Sequence, residues 1–176
     1  MPDERITRVQ QLIRDVPDFP KPGIIFKDIT TVLRDPEGLR LTIELFRDAL
    51  AERPVDVVVA MESRGFIFGV PLALELGVGF VPVRKPGKLP ADVERESYEL
   101  EYGTDQLEIH RDALLSGQRV AVVDDLLATG GTAAATVRLV RRLGAEVAAA
   151  AFLVELDFLE GRKQLSGVDV CSIVHY

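Results

Sequence analysis

Residues 120–132 read Val-Ala-Val-Val-Asp-Asp-Leu-Leu-Ala-Thr-Gly-Gly-Thr: an apolar run, two adjacent carboxylates, a short loop with paired glycines, then helical spacing. That order commits the chain to a strand, a turn and a helix start. At a helix start the first backbone N–H groups lack internal partners and the dipole is positive, so a phosphate can accept hydrogen bonds there. Gly130 and Gly131 let the backbone come close, Ala128 belongs to the same run of amides, and Thr129 and Thr132 offer hydroxyls. Asp124 and Asp125, one loop away, would repel that phosphate if they touched it, and adjacent carboxylates are good acceptors for a vicinal diol. Phosphate on 128–132 and hydroxyls on the acids describe a ribose 5-phosphate. The segment is not a P-loop, because no Lys follows the glycines, and it lacks the GxGxxG of dinucleotide sites.

Around this segment strand-like and helix-like stretches alternate, which implies an α/β domain with a largely parallel sheet. Dense Val, Ala and Phe runs predict strands at 55–61, 79–83, 119–124 and 146–156, with a fifth at 170–174. Ile6, Val9, Leu12, Ile13 and Val16 form one apolar helical stripe; Leu39, Ile43, Phe46 and Leu50 form another, opened by Asp35-Pro36. A helix is predicted over 132–143, closed by Gly144. Residues 84–108 contain Pro86, Gly87, Pro90 and Gly103 among many charges, show no sustained period, and read as a mobile excursion over the site. The 176 residues suit a single domain, 1–176.

The net charge of −7 means that an anionic partner must be held by a local basic cluster, and it argues against nucleic acid as a ligand. The apolar run 147–154 is far short of the ~20 residues that span a bilayer, so no membrane partner is expected. A single cysteine, Cys171, and a start without a basic-then-apolar stretch favour the cytoplasm. His110, His175 and Cys171 have no ligand spacing and read as structural; Ser63 has no G-x-S-x-G context.

Two basic groups follow predicted strands at the sheet edge where ligands collect: Arg64 in Glu62-Ser63-Arg64-Gly65, and the set Arg84, Lys85 and Lys88. They are the candidates to hold a pyrophosphate.

Residues 120–132 resemble the phosphoribosyl pyrophosphate motif of type I phosphoribosyltransferases. With 19–29 (Phe-Pro-Lys-Pro-Gly-Ile-Ile-Phe-Lys-Asp-Ile), 62–66, 84–90 (Arg-Lys-Pro-Gly-Lys-Leu-Pro) and 100–103 (Leu-Glu-Tyr-Gly), nearly the whole chain resembles the adenine phosphoribosyltransferase family. The resemblance implies a Rossmann-like type I phosphoribosyltransferase fold: a mainly parallel central sheet flanked by helices, an N-terminal helix and hood (1–34), and a flexible catalytic loop (84–108). It implies transfer of the phosphoribosyl group of 5-phosphoribosyl-1-pyrophosphate to adenine, giving AMP and pyrophosphate. By resemblance Ile25 offers its backbone to the adenine edge, Phe26 stacks near the ring with Lys27 beside it, and Leu126 packs on the other face. Glu101, next to Tyr102 on the loop, is the first candidate to assist proton removal from the base. Lys27 stands where Arg is frequent in the family, and Ala60-Met61 precede Glu62 where a Gly is usual. Magnesium bound with phosphoribosyl pyrophosphate, no direct protein ligand to the metal, and a homodimer complete what the family implies. Another acceptor base (hypoxanthine, guanine or orotate) and a non-catalytic sensor of phosphoribosyl pyrophosphate are the competing readings.

Overall fold

The structure, a computed structural model, describes residues 3–99 and 103–176. It divides into two compact units, Met1–Leu45 and Phe46–Tyr176.

In the first unit α1 (Glu4–Leu12) opens on Asp3, whose carboxylate accepts from the Arg5 N–H at 2.9 Å, and buries Val9. The helix stops sooner than the apolar stripe suggested. Ile13 is already extended, and Val16 lies in β1 (Arg14–Pro17), which pairs antiparallel with β2 (Ile25–Asp28) and sets Val16 opposite Phe26. Val16 precedes Pro17, whose ring disfavours helical backbone at the residue before it, and an apolar residue at that spacing serves a strand equally well. The short α2 (Thr30–Leu33) follows Asp28, which accepts from the backbone N–H and hydroxyl of Thr30 and pairs with Arg14. α3 (Pro36–Leu50) begins where Asp35-Pro36 predicted, with the Asp35 side chain accepting from Gly38 N–H at 2.7 Å.

The second unit is built on a five-stranded sheet, all parallel, in the order β4 (Gly79–Val83), β3 (Val57–Met61), β7 (Arg119–Leu127), β8 (Glu146–Glu155), β9 (Val170–His175). β3 is buried at every position because both of its faces are covered, which is why it reads as an unbroken apolar run. Val57, Val59 and Met61 join the core that includes α5 (Gly131–Arg142), whereas Ala60 faces α4 (Arg64–Leu76). A Cβ on Gly69 of α4 would stand 2.9 Å from the Ala60 Cβ and 2.8 Å from the Phe80 ring, so a glycine there lets the helix ride close to the sheet. α5 begins one residue before the predicted 132 and ends at Arg142, with Leu143 as its cap and Gly144 at φ +85° beyond it. Two 3₁₀ turns, Asp157–Leu159 and Gly161–Leu165, link β8 to β9. No helix among the described residues is long and apolar enough to cross a membrane.

Residues 84–108 hold more regular structure than their sequence suggested. β5 (Val93–Glu99) and β6 (Thr104–His110) form an antiparallel hairpin, and Arg84 bridges to Glu108 through two backbone hydrogen bonds. The alternation is hidden because the inward face of β5 carries charge. Glu94 pairs with Arg111, and Glu96 pairs with Arg138 and Arg142 of α5, with Tyr98 next on the same face.

Asp56, just before β3, is clasped by Arg119 at the start of β7: the backbone N–H and Nε of Arg119 donate to Oδ2 at 2.8 Å and Nη2 donates to Oδ1 at 2.6 Å. The Arg119 side chain and backbone hold the Asp56 carboxyl down from 3.8 to about 2. A carboxyl whose folded value lies below its unfolded one contributes stability that is present above pH 3.8 and lost as pH falls through about 2. Asp28, held to about 2 by Thr30 and then Arg14, acts in the same sense. Acid titration of the melting temperature is therefore expected to fall between pH 4 and 2, and less steeply in Asp56→Asn than in the wild type.

Candidate active site

The chain leaves β3 toward β4 on one side of the sheet and leaves β7 toward β8 and β9 on the other, so the strand order reverses between β3 and β7. The carboxyl ends of two such strands diverge and leave a crevice where α/β sheets bind ligands. Here that crevice is a cleft of ≈ 260 Å³ floored by Asp124 and Asp125, walled by Glu62 to Arg64 after β3 and by Ala128 to Thr132 after β7, with Lys85 at its rim.

The phosphate-binding candidates come together as the sequence proposed. Gly130 is the N-cap of α5 at φ +87°, a left-handed conformation that glycine adopts without strain, and it offers no side chain to cap the helix. The first turn holds no acidic residue, so no carboxylate within it competes for the orphan N–H groups. Leu126 and Ala128 line the same cleft.

The acid pair stands one loop from the helix start, as expected, but β7 runs three residues past its predicted end, through Asp125 to Leu127, so both carboxylates lie on the strand and residues 128–130 are the loop. Asp125 is buried, and its N–H donates to Asp124 Oδ1 at 2.9 Å. Burial, then the neighbouring Asp125 charge, pushes the Asp124 carboxyl well above the usual carboxylate range. Burial also raises Asp125, with Arg64 pulling the other way. Among the described residues Asp125 Oδ2 finds no aligned hydrogen bond, and Arg64 Nε lies 2.9 Å from it. Two acids crowded in this way, one of them with an oxygen short of donors, are poised to accept hydroxyl protons from a ligand.

Gly65 explains how α4 reaches so close to that pair. A Cβ there would stand 3.0 Å from both Asp124 Oδ1 and the Val123 carbonyl. Gly65→Ala is accordingly expected to displace Asp124, lowering kcat/KM about tenfold and stability by ~1–3 kcal/mol, read by steady-state kinetics and thermal melts.

Three of the predicted pyrophosphate cations, Arg64, Arg84 and Lys85, are engaged in ion pairs. Arg84 Nε lies 2.7 Å from Glu62 Oε2, and its Nη1 donates to the Lys88 carbonyl at 3.4 Å. Lys85 pairs with Asp105 and donates to the Tyr98 hydroxyl at 3.3 Å. Burial alone would raise the Glu62 carboxyl, but Arg84 and the Lys85 N–H outweigh it and hold it low. Lys85 is raised despite burial, because Asp105 and Tyr98 hold its proton. Arg64 and Lys85 line the cleft itself; Arg84 reaches it through Glu62.

Ile25, Phe26 and Lys27 belong to the first unit. On β2, Ile25 is exposed, Phe26 meets Phe19 edge to face at 5.2 Å, and Lys27 pairs with Asp15 at 2.7 Å. Glu101 and Tyr102 lie outside the described residues.

Several participants escaped sequence reasoning. The Tyr98 ring packs on Gly131, and its hydroxyl accepts from Thr132 Oγ1 at 3.3 Å. Glu62 fixes both Arg84 and the Lys85 backbone. Nothing local marks Tyr98, whose neighbours on the inward face of β5 are charged, or Glu62 beyond its place after β3.

Comparison with known proteins agrees with this geometry. The family described as phosphoribosyl transferase domain matches residues 28–172. The adenine phosphoribosyltransferase of Acaryochloris marina is 58% identical over 96% of this chain and 99% of its own length. The crystal structure of adenine phosphoribosyltransferase from Thermoanaerobacter pseudethanolicus superposes with a TM-score of 0.95 at 57% identity, covering 97% of this chain and 99% of that one. The Saccharomyces cerevisiae enzyme, solved with D-2,5-dideoxy-2,5-imino-altritol 1,6-bisphosphate and adenine, superposes with a TM-score of 0.92 at 42% identity over 97% of this chain and 98% of its own. With a type I phosphoribosyltransferase sheet, a cleft at its switch point and relatives this close over nearly full length, the chain belongs to the adenine phosphoribosyltransferase family.

Proposed function

We propose that this protein transfers the phosphoribosyl group of 5-phosphoribosyl-1-pyrophosphate to adenine, releasing AMP and pyrophosphate in purine salvage. The observation that carries the reading is the uncapped, acid-free start of α5 beside the crowded Asp124–Asp125 pair: an anion cradle and a diol acceptor in one cleft. A purine nitrogen forms the new bond to the ribose anomeric carbon as the carbon–oxygen bond to pyrophosphate breaks, and the electron pair leaves with the pyrophosphate.

In this reading the amides and hydroxyls of 128–132 hold the 5-phosphate, Asp124 and Asp125 hold the ribose hydroxyls, and Arg64, Arg84, Lys85 and Lys88 neutralise the leaving group. Adenine's amino donor beside a ring acceptor suits one residue's C=O and N–H, the role that the family resemblance gives Ile25. Glu101, next to Tyr102 in sequence, takes the proton from the base, and the segment 84–108 closes over the site to exclude water. Magnesium would enter on the substrate's own phosphate and hydroxyl oxygens, and the Asp125 oxygen without an aligned donor suits a hydrogen bond from a water in its shell. When bound with the substrate it supplies positive charge against the departing pyrophosphate, with no protein side chain required as a direct ligand.

Ile67, Val70 and Leu74, spaced along one side of α4, are exposed at 39%, 42% and 78%, and this stripe supports the homodimer that the family implies. Light scattering at twice the chain mass supports that assembly, and a monomer at working concentration contradicts it. The lone Cys171 supports a cytoplasmic setting.

The reading is tested by mixing the protein with phosphoribosyl pyrophosphate, magnesium and a panel of bases. AMP from adenine, with hypoxanthine, guanine and orotate far poorer, supports it. Preference for another base overturns the acceptor, and no nucleotide from any base favours the sensor.

A further inference from the structure

Behind the phosphate loop, on the side away from the cleft, lies a 3₁₀ turn that the reaction scheme leaves without a task. A Cβ on Gly161 would stand 2.3 Å from the Ala128 carbonyl oxygen and 3.0 Å from Leu127 Cγ. In return, a Cβ on Gly130 would stand 2.4 Å from the Gly161 carbonyl oxygen. The two backbones thus meet glycine to glycine. Gly161 is not among the positive-φ residues, so its small size answers the approach and not a left-handed conformation.

The turn is itself pinned. Arg162 Nε and Nη2 donate to the two Glu155 oxygens at 2.7 and 2.8 Å, and Arg162 Nη1 donates to the Val170 carbonyl at 3.0 Å. Glu155, at the end of β8, is 3% exposed and also accepts from Ser172 Oγ of β9 at 2.5 Å. Leu156 N–H donates to the Leu127 carbonyl at 3.0 Å, tying the segment before the turn to the end of β7. A buried acid carrying a bidentate arginine is an expensive feature unless it fixes something, and what it fixes here is the residue against the loop's back.

We propose that Gly161, held by the Glu155–Arg162 pair, is a positioning residue for the 5-phosphate: it sets the shape of 128–131 from behind so that the amides converge on the anion. The inference rests on the phosphate-loop reading. Backbone donors bind an anion well only when held within a fraction of an ångström of their working geometry. Gly161→Ala pushes Ala128 and Gly130 toward the cleft, and the loss falls on the phosphorylated substrate and not on the base.

The experiment compares Gly161→Ala with Gly167→Ala and Thr132→Ala in the full chain, measuring KM for phosphoribosyl pyrophosphate and for adenine, kcat, AMP binding by calorimetry, and melting temperature. Gly167 has φ +73° with nothing within 4 Å of its Cβ position, so its alanine strains the backbone without touching the loop. The expected result is KM for phosphoribosyl pyrophosphate raised about tenfold or more in Gly161→Ala, KM for adenine within about twofold, and weaker AMP binding. Gly167→Ala lowers the melting temperature and leaves both KM values unchanged. If Gly161→Ala does not fold, Arg162→Lys, which keeps the charge and loses the two-pronged contact, gives the same selective rise at smaller size. Equal KM values in folded Gly161→Ala, or in Arg162→Lys where that stands in for it, overturn the proposal, as does a parallel rise for both substrates. If Thr132→Ala raises KM for phosphoribosyl pyrophosphate while Gly161→Ala does not, only the buttress fails; if neither does, the phosphate-loop reading fails with it.

Discussion

Replacing Asp124 and Asp125 together with Asn is expected to lower kcat/KM by on the order of 10²-fold or more while raising the melting temperature. The two effects share one cause. Burial and mutual repulsion push the Asp124 carboxyl well above its ordinary value, and burial pushes up Asp125 against the pull of Arg64. A carboxyl whose folded value lies above its unfolded one loses stability as pH rises from the unfolded value through the folded one, so at neutral pH the pair destabilises the fold. Asn keeps the shape, and its side-chain oxygen can still accept from the Asp125 backbone N–H that now donates to Asp124 at 2.9 Å. Each kcal/mol relieved is worth roughly 2–4 °C in a chain of this size. The gain is expected to shrink as pH falls through the raised folded values toward 3.8 and to be gone below it, where the pair is protonated folded or unfolded. Scanning calorimetry across pH, beside initial-rate kinetics, checks both halves. A variant that melts lower at neutral pH contradicts the electrostatic account.

Gly130→Ala is expected to lower kcat/KM about 10²-fold and to cost roughly 2–4 kcal/mol of stability. The position stands at φ +87°, and the added methyl would lie 2.4 Å from a backbone oxygen that has no side-chain freedom to yield. Gly87, at φ +76° with nothing within 4 Å, is the contrast: alanine there meets the conformational penalty alone. Denaturant titration of the two variants separates strain from collision, and equal losses would show that the Gly161 backbone gives way.

What was legible in the sequence was whatever repeats or is chemically demanding. β3 and β8 announced themselves because strands covered on both faces tolerate little but Val, Ala and Phe, and residues 120–132 announced a strand–loop–helix because each part needs its own residue type. Val16 misled because an apolar spacing fits a helix stripe and a strand face alike until Pro17 is weighed. The β5–β6 hairpin hid because the inward face of β5 is written largely in ion-paired, half-buried glutamates. In the cleft, Arg64 was readable from its place after a strand and the acid pair from its place near the carboxyl end of one, since any α/β sheet collects ligands there. Tyr98 and Gly161 were not, because their importance lies in what distant segments bring to them: Gly131 and Thr132 for the one, Ala128 and Gly130 for the other. The engagement of Lys85 by Asp105 and of Arg84 by Glu62 belongs to the same class, as pairing across loops leaves no periodic trace.

The most direct test is a crystal structure of the protein with AMP. The account places the phosphate on the amides and hydroxyls of 128–132 and the ribose hydroxyls within hydrogen-bond reach of Asp124 and Asp125. A phosphate bound elsewhere, or a ribose that leaves both carboxylates untouched, would contradict it.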